Sequence, residues 1–331
     1  MINKQNACLL TKLGIEHLRN ESSMQHVFGA AISSISQVLI GKQLQVELAM
    51  TCLLANGHLL IEDLPGMGKT TLSHALANVL GLTDTRIQFT SDLLPADVLG
   101  VSIFDQSKQV FSFHKGPVFN HIILADEINR ASPKSQSALL EAMEEKQVSI
   151  DGDTYPLPSP FFVIATQNPS YQSGTYPLPE SQLDRFLMRI VLGYPNYAAE
   201  KRMLVEQFAD ERHTTQPILT PSDLHLAQQQ CQAIHVSDAV LDYILRLVQH
   251  TRNEPEFPHA LSPRASKALL RASRAWAYLQ GRDFAIPEDV QAVLPSVAEH
   301  RMRSELTDLS DDQMLSELLL DAVNPLIAQA S

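Results

Sequence analysis

Cysteine is scarce. Cys8, Cys52 and Cys231 are three in 331 residues, far apart and odd in number, which argues against a disulfide framework or a zinc knuckle. Cations are outnumbered as well, 25 Lys+Arg against 37 Asp+Glu, for a formal net charge of -12. An unaided footprint on a phosphate backbone is therefore not expected, although a local basic channel is compatible with the balance. No run reaches the roughly 18 apolar residues of a membrane span, and the opening MINKQNACLLTKLG has no apolar stretch followed by a small-residue cleavage site. The 12 histidines show no H-E-x-x-H or similar ligand spacing, so no metal beyond one carried by a nucleotide is expected. Repeats and low-complexity tracts are absent. What remains is 44% hydrophobic and 19% charged, a globular composition long enough for about two domains. A soluble, cytoplasmic protein is the expectation.

Five short apolar runs punctuate the first part of the chain: 58–62 (HLLIE), 86–89 (RIQF), 122–125 (IILA), 161–166 (FFVIAT) and 189–192 (RIVL). Continuous runs of this length suit strands covered on both faces, as in a parallel sheet between helices. Helical patterns fill the intervals. Leu72, Leu76, Val79 and Leu80 share one face after Lys69, and SPKSQSALLEAMEE opens with Ser132 as a cap and Pro133 at the first helical position. After Pro195 the pattern becomes almost wholly helical, with starts at Thr220-Pro221, Ser262-Pro263, Ile286-Pro287 and a capping-box form at 310–313. These readings give an α/β domain over 36–195, an α-helical domain over 196–331 and a helical N-terminal leader over 1–35.

Chemistry concentrates at Asp63-Leu64-Pro65-Gly66-Met67-Gly68-Lys69-Thr70-Thr71, between a strand and a helix. That context is what a Walker A match requires. Gly66 and Gly68 let successive N–H groups turn toward phosphate oxygens at a helix N-terminus. Lys69 would reach the β- and γ-phosphates, and the Thr70 hydroxyl would hold Mg²⁺. Asp63 stands where the pattern has its first glycine; a carboxylate there must point away or cap the turn. A second element, Ile122-Ile123-Leu124-Ala125-Asp126-Glu127, is an apolar strand ending in two carboxylates, the Walker B form. Asp126 would order the Mg²⁺ shell and Glu127 would align or deprotonate the attacking water. Alone, the pair could equally be an acidic cap for the helix over 133–145.

Taken in order, IEDLPGMGKTTL, FTSDLLPADVLG, ADEINRASPKSQSALLEAMEEKQV, ATQNPSYQSGTYPLPESQLDRFLMRI and LSPRASKALLRASRAWA cover most of 37–303. The sequence resembles the AAA+ ATPases and, within them, the MoxR family. The resemblance implies a P-loop NTPase core with a five-stranded parallel sheet, followed by a smaller all-α lid. It implies ATP as the nucleotide, with Ile40 and Gly41 beside the adenine. Asn168 matches sensor-1, between the strands of the two Walker elements; Asn-Pro after a strand is otherwise a turn signal. Arg185 matches the arginine finger offered to a neighbouring subunit, where the alternative is a surface ion pair with Asp184 or Glu180. Arg264 matches sensor-2, an arginine at the start of a lid helix reaching the γ-phosphate of ATP held between core and lid. Arg130 is a second interface candidate.

Two insertions attract notice. SDLLPADVLGVSIFDQSKQVFSFHKGPVF matches the family's extra segment, and 148–155 alternates around an Asp-Gly turn, a hairpin signal. The resemblance places such elements toward a ring's central channel, making Phe111, Phe113, His114 and Lys115 partner-contact candidates; filling a local core is the equal alternative. Trp276 reads as a packing residue, and the cation-free segment from Ser304 as a solvated helix face. The expectation is an ATP-hydrolysing homo-oligomeric ring, six subunits by resemblance, that remodels or matures a client protein or complex. A separate polypeptide with a von Willebrand factor A domain would be a partner of the family's kind. A motor on nucleic acid and a non-hydrolysing, nucleotide-switched scaffold are the rivals; acidic balance opposes the first, and Glu127 with Arg185 the second.

Overall fold

The computed structural model describes residues 24–107, 109–167, 176–206, 215–303 and 314–325. Two helices, α1 (24–38) and α2 (Gln43–Leu54), lead into β1 (Leu59–Glu62) and α3 (Lys69–Val79). Next come β2 (Asp84–Gln88), α4 (Pro95–Leu99), the hairpin β3 (Gly100–Asp105) and β4 (Val110–Lys115), then β5 (Ile122–Asp126) and α5 (Pro133–Glu145). A second hairpin, β6 (Gln147–Ile150) and β7 (Asp153–Pro156), precedes β8 (Phe162–Gln167), α6 (Glu180–Leu183) and β9 (Met188–Ile190). Helices follow: α7 (Tyr197–Glu206), α8 (Pro221–Ala233), α9 (Asp238–Asn253), α10 (Pro263–Leu279), α11 (Pro287–Met302) and α12 (Leu315–Ala322).

The main sheet runs β2-β5-β8-β1-β9, every pair parallel. Its central strands are buried on both faces because successive side chains point to opposite sides. Leu59, Ile61, Ile122, Leu124, Phe162 and Ile164 join a core shared with α1, α2, α3 and the helices after β9. Leu60, Ile123, Ala125, Val163 and Ala165 join a second core closed by α5. All five apolar runs form strands, the edge pair shifted by one or two residues from the sequence reading.

Helix starts follow local chemistry. Ser132 Oγ accepts from the Ser135 N–H at 3.4 Å and Ser262 Oγ from the Ala265 N–H at 3.2 Å. Thr220 and Asp223 cap each other reciprocally. At Ile286-Pro287 the cap comes from Asp289, whose carboxylate accepts from the Ile286 N–H at 2.8 Å and pairs with Arg282. The start read at 310–313 lies outside the described residues. Asp151 and Gly152 both have positive φ, 54° and 90°, which closes the β6–β7 hairpin at the expected Asp-Gly turn.

The leader needs correction. Residues 1–23 lie outside the described residues, but α1 crosses the expected boundary at 35/36 and is a core element. Phe28, Ala31 and Ile35 are fully buried, with Phe28 edge-on to Tyr278 of α10 at 6.2 Å. Burying Phe28 and Ile35 contributes about 2 kcal/mol each, so α1 ties the sheet domain to the helical one.

Candidate functional site

The chain leaves β1 at Glu62 and enters α3 at Lys69, so the loop between them lies at the C-terminal edge of the sheet. Gly66 and Gly68 take φ of 85° and 94°, a region that side chains disfavour. A Cβ on Gly68 would come within 2.8 Å of Leu39 Cδ1. Gly68 caps α3, and Lys69 begins it, aiming the helix's first N–H groups at the loop. Thr70 and Leu64 are half-buried, Pro65 and Thr71 are exposed, and Met67 packs partly buried against the core beneath the loop. Lys69 is buried and donates to the Asp63 carbonyl at 2.5 Å. Burial pulls its pKa below the ordinary lysine value, opposed by the charges of Asp63, Asp126, Glu127 and Glu62.

Asp63, the departure from the glycine pattern, is buried and fully engaged. Its Oδ1 accepts from the Leu64 N–H at 2.8 Å and its Oδ2 from the Gly193 N–H at 2.6 Å. The carboxylate thus caps the loop and pins the segment after β9 against it. Lys42 donates to the Tyr194 carbonyl at 2.7 Å, and a Cβ on Gly41 would meet Ala199 Cβ at 2.6 Å. Gly41 therefore faces the start of α7, and Ile40 before it is buried.

Across the sheet edge, β8 lies between β1 and β5. Its buried Thr166 joins the carboxylate of Asp126 to the backbone of Glu127: the hydroxyl donates to Asp126 Oδ1 at 2.6 Å and accepts from the Glu127 N–H at 2.9 Å. Arg86 of β2 pairs with Asp126 Oδ2 at 2.5 Å. Glu127, at φ 56°, accepts from Gln88 Nε2 at 3.0 Å and pairs with Arg130 at 3.1 Å. Asn168 lies outside the described residues. Sequence reading missed Thr166 and Arg86; a threonine ending the run FFVIAT was the available signal.

Arg185 and Arg264 sit elsewhere. Both line a cleft of about 710 Å³ with Asn56, Gly57 and His58, the residues that enter β1. That is the N-terminal edge of the sheet, opposite Lys69. The expectation that Arg264 reaches the nucleotide held by its own chain is not met. The first turn of α10 carries Arg264 to Glu144 at 2.7 Å and Asp184 at 3.9 Å. The segment that closes on the loop is instead 193–199. Arg185 donates to the Leu140 carbonyl at 2.6 Å and pairs with Glu144 at 3.1 Å, not with Asp184 or Glu180. Those two are taken: Asp184 by Arg301 at 2.7 Å and Glu180 by His259 at 2.9 Å. Arg301, buried on α11, also donates to the Phe186 carbonyl at 2.6 Å and the Leu187 carbonyl at 3.2 Å. It clamps the loop bearing Arg185 to the helical domain, and nothing local in the sequence marks it.

The four insertion candidates divide. Phe111 is 72% exposed and meets Phe104 at 5.2 Å, on a hairpin that also exposes Val101, Ile103 and Val110. Phe113 stacks on Tyr155 of the second hairpin at 4.3 Å and meets Phe119 at 5.8 Å. Lys115 lies over the Phe119 ring at 5.1 Å, and His114 is exposed opposite Val101.

Comparison with known proteins agrees with this architecture. Residues 58–188 match the model of the ATPase family associated with various cellular activities (AAA), and 249–318 match an AAA lid domain. Chaperone MoxR1 of Mycobacterium tuberculosis is 40% identical over 92% of this chain and 82% of its own. The Bacillus subtilis protein YeaC is 45% identical over 85% of this chain and 88% of its own. A crystal structure from Cytophaga hutchinsonii, assigned as an ATPase, superposes with a TM-score of 0.85 at 35% identity, over 94% of this chain and 99% of that one. No described helix is long and apolar enough to cross a membrane. With a relative of that identity along nearly its whole length, a five-stranded parallel sheet and a helical lid, the chain belongs to the MoxR family of AAA+ ATPases.

Proposed function

We propose that the chain is an ATP-hydrolysing motor whose working unit is a homo-oligomeric ring of six, cytoplasmic, and that it remodels or matures a client protein. The loop 63–71, with Ile40 and Gly41, would hold ATP; Thr70 and Asp126 would hold its Mg²⁺. The residues fit that load. Gly66 has open space at its Cβ position at positive φ, and Lys69 is a buried cation ringed by four carboxylates. Mg²⁺, when bound, would spread the charge that develops on the phosphates. Thr166 orients Asp126, and Glu127 is the group available to take a proton from the attacking water.

One observation carries the ring: Arg185 and Arg264 occupy the edge of the sheet opposite Lys69. Guanidinium groups there cannot serve the chain's own phosphates and suit those of a neighbour. Arg301 couples the loop bearing Arg185 to α11, so loss of a phosphate in one subunit would be felt by the lid of the next. The exposed apolar β3–β4 hairpin is the proposed client contact. A protein with a von Willebrand factor A domain is the partner that the family suggests. Turnover per chain should rise with chain concentration, in step with ring formation seen by mass photometry. Full-speed turnover by single subunits would refute the reading.

A further inference from the structure

Two arginines that face the same cleft share one carboxylate. Glu144, in the last turn of α5, accepts from Arg264 Nη2 through Oε1 at 2.7 Å and pairs with Arg185 Nη2 through Oε2 at 3.1 Å. Its oxygens stand between two guanidinium forks, as two oxygens of one phosphate would. We propose that Glu144 is a positioning residue, holding Arg185 and Arg264 side by side and pre-set for the phosphates of a neighbouring chain's nucleotide. The inference rests on the trans arrangement proposed above.

Charge explains why such a group is needed. The cleft also holds Lys146, Lys267, Arg271 and Arg274, and among the described residues its only other carboxylate is Asp184. Asp184 is already bonded to Arg301 at 2.7 Å and sits 3.9 Å from Arg264. Arg264 lies in the first turn of α10, where the helix dipole disfavours a cation, with Lys267 one turn on. Without Glu144, repulsion from Arg185, Lys267 and the helix end would swing Arg264 toward solvent. Arg185 would keep only its bond to the Leu140 carbonyl.

The three side chains are 40%, 29% and 51% exposed for Glu144, Arg185 and Arg264. At such exposure ion pairs contribute little to folding, whereas small misplacements of a reacting group cost rate steeply. The effect therefore belongs in kcat, not in stability.

Phosphate release is measured on E144A, E144D and E144Q rings. The expected result for E144A is a kcat lower by about 10- to 100-fold, with KM for ATP and Tm near wild type. E144D should restore part of the rate and E144Q should not, because the amide carries no charge. Equal mixing of E144A with K69A chains should recover activity, since a K69A chain supplies an intact arginine pair to the E144A chain's loop. R185A mixed with K69A is the control. If that control recovers activity while E144A alone keeps wild-type kcat, the role of Glu144 is overturned and the trans arrangement stands. If the control recovers nothing, the arrangement beneath the proposal falls as well.

Discussion

Lys69 and Arg185 stand at opposite edges of one parallel sheet. Lys69 follows the C-terminal end of β1, while Arg185 lines the cleft with the residues that enter it. Four strand residues at about 3.3 Å each, plus a loop, keep them well over 10 Å apart. Their substitutions should therefore fail differently. Lys69→Ala should lose ATP binding, whereas Arg185→Ala should bind ATP within a few-fold of wild type and lose about 10³-fold in turnover. Equilibrium binding of a fluorescent ATP analogue, set beside phosphate release, separates the two. Equal loss of binding in both variants would make Arg185 a structural residue.

Glu127 is held from two strands as well as by Arg130 of its own loop: the Thr166 hydroxyl takes its N–H and Gln88 meets its carboxylate at 3.0 Å. Glu127→Gln keeps those contacts and removes the base. Phosphate release should fall by about 10²- to 10⁴-fold while ATP stays bound in the assembled ring. A wild-type rate as negligible as that of the variant, with tight binding in both, would favour a nucleotide-switched scaffold.

Thr166→Val tests the link between the two acidic residues at nearly constant volume. The change removes the partner of two half-buried groups, Asp126 Oδ1 and the Glu127 N–H, at a position where Thr166 itself is fully buried. A loss of about 1–3 kcal/mol in unfolding free energy is expected. A fall in kcat larger than the fall in ATP affinity should accompany it. Urea titration and steady-state kinetics on one preparation supply both numbers.

Patterns with short reach were legible in the sequence. Apolar runs marked every strand of the sheet, Asp-Gly marked the β6–β7 turn, and Ser132, Thr220 and Ser262 marked helix starts, because each depends on neighbours within a few residues. Pairings across 40 to 120 positions were not. Thr166 finds Asp126, Glu144 finds Arg264, and Arg301 finds Asp184 only after the sheet and the lid have packed. For Arg185 the alternative reading named Asp184 or Glu180 as ion-pair partners, whereas the pair is made with Glu144, because Asp184 is adjacent in sequence while Glu144 is adjacent in space. The α1 helix was undervalued for a related reason: its buried face is defined by Tyr278, some 250 residues away.

Acid should loosen the fold before ordinary carboxylates titrate. His58 accepts from the Val163 N–H at Nδ1, 3.0 Å away, and its Nε2 faces the Met143 carbonyl at 3.3 Å. That arrangement requires a neutral ring, and burial pulls its pKa from 6.5 down to about 4. Since the folded value is the lower one, the stabilisation is complete above pH 6.5 and is lost as pH falls from there toward 4. The full loss is about 3 kcal/mol. His300, also depressed by burial and by Arg301 and Arg189, adds in the same direction. Calorimetry at pH 7.5 and 5 should show a falling Tm, with the slope reduced in His58→Asn; a flat profile for wild type would contradict the assignment.

The two phenylalanines of β4 should separate client work from folding. Phe111 is 72% exposed and its ring meets Phe104, itself 42% exposed; removing that ring costs the fold little. Phe113 stacks on Tyr155 and meets Phe119, joining the two hairpins, so its loss should unseat both. Phe111→Ser should keep basal ATP turnover and Tm within about 2 °C of wild type while losing stimulation of turnover by the client. Phe113→Ala should lower Tm and raise protease cutting in both hairpins. The client comes from trapping with Glu127→Gln rings and mass spectrometry, after which each variant is assayed with it. Full stimulation of Phe111→Ser would remove the Phe111 ring from the client path, because the substitution takes away the whole aromatic group at a position 72% exposed.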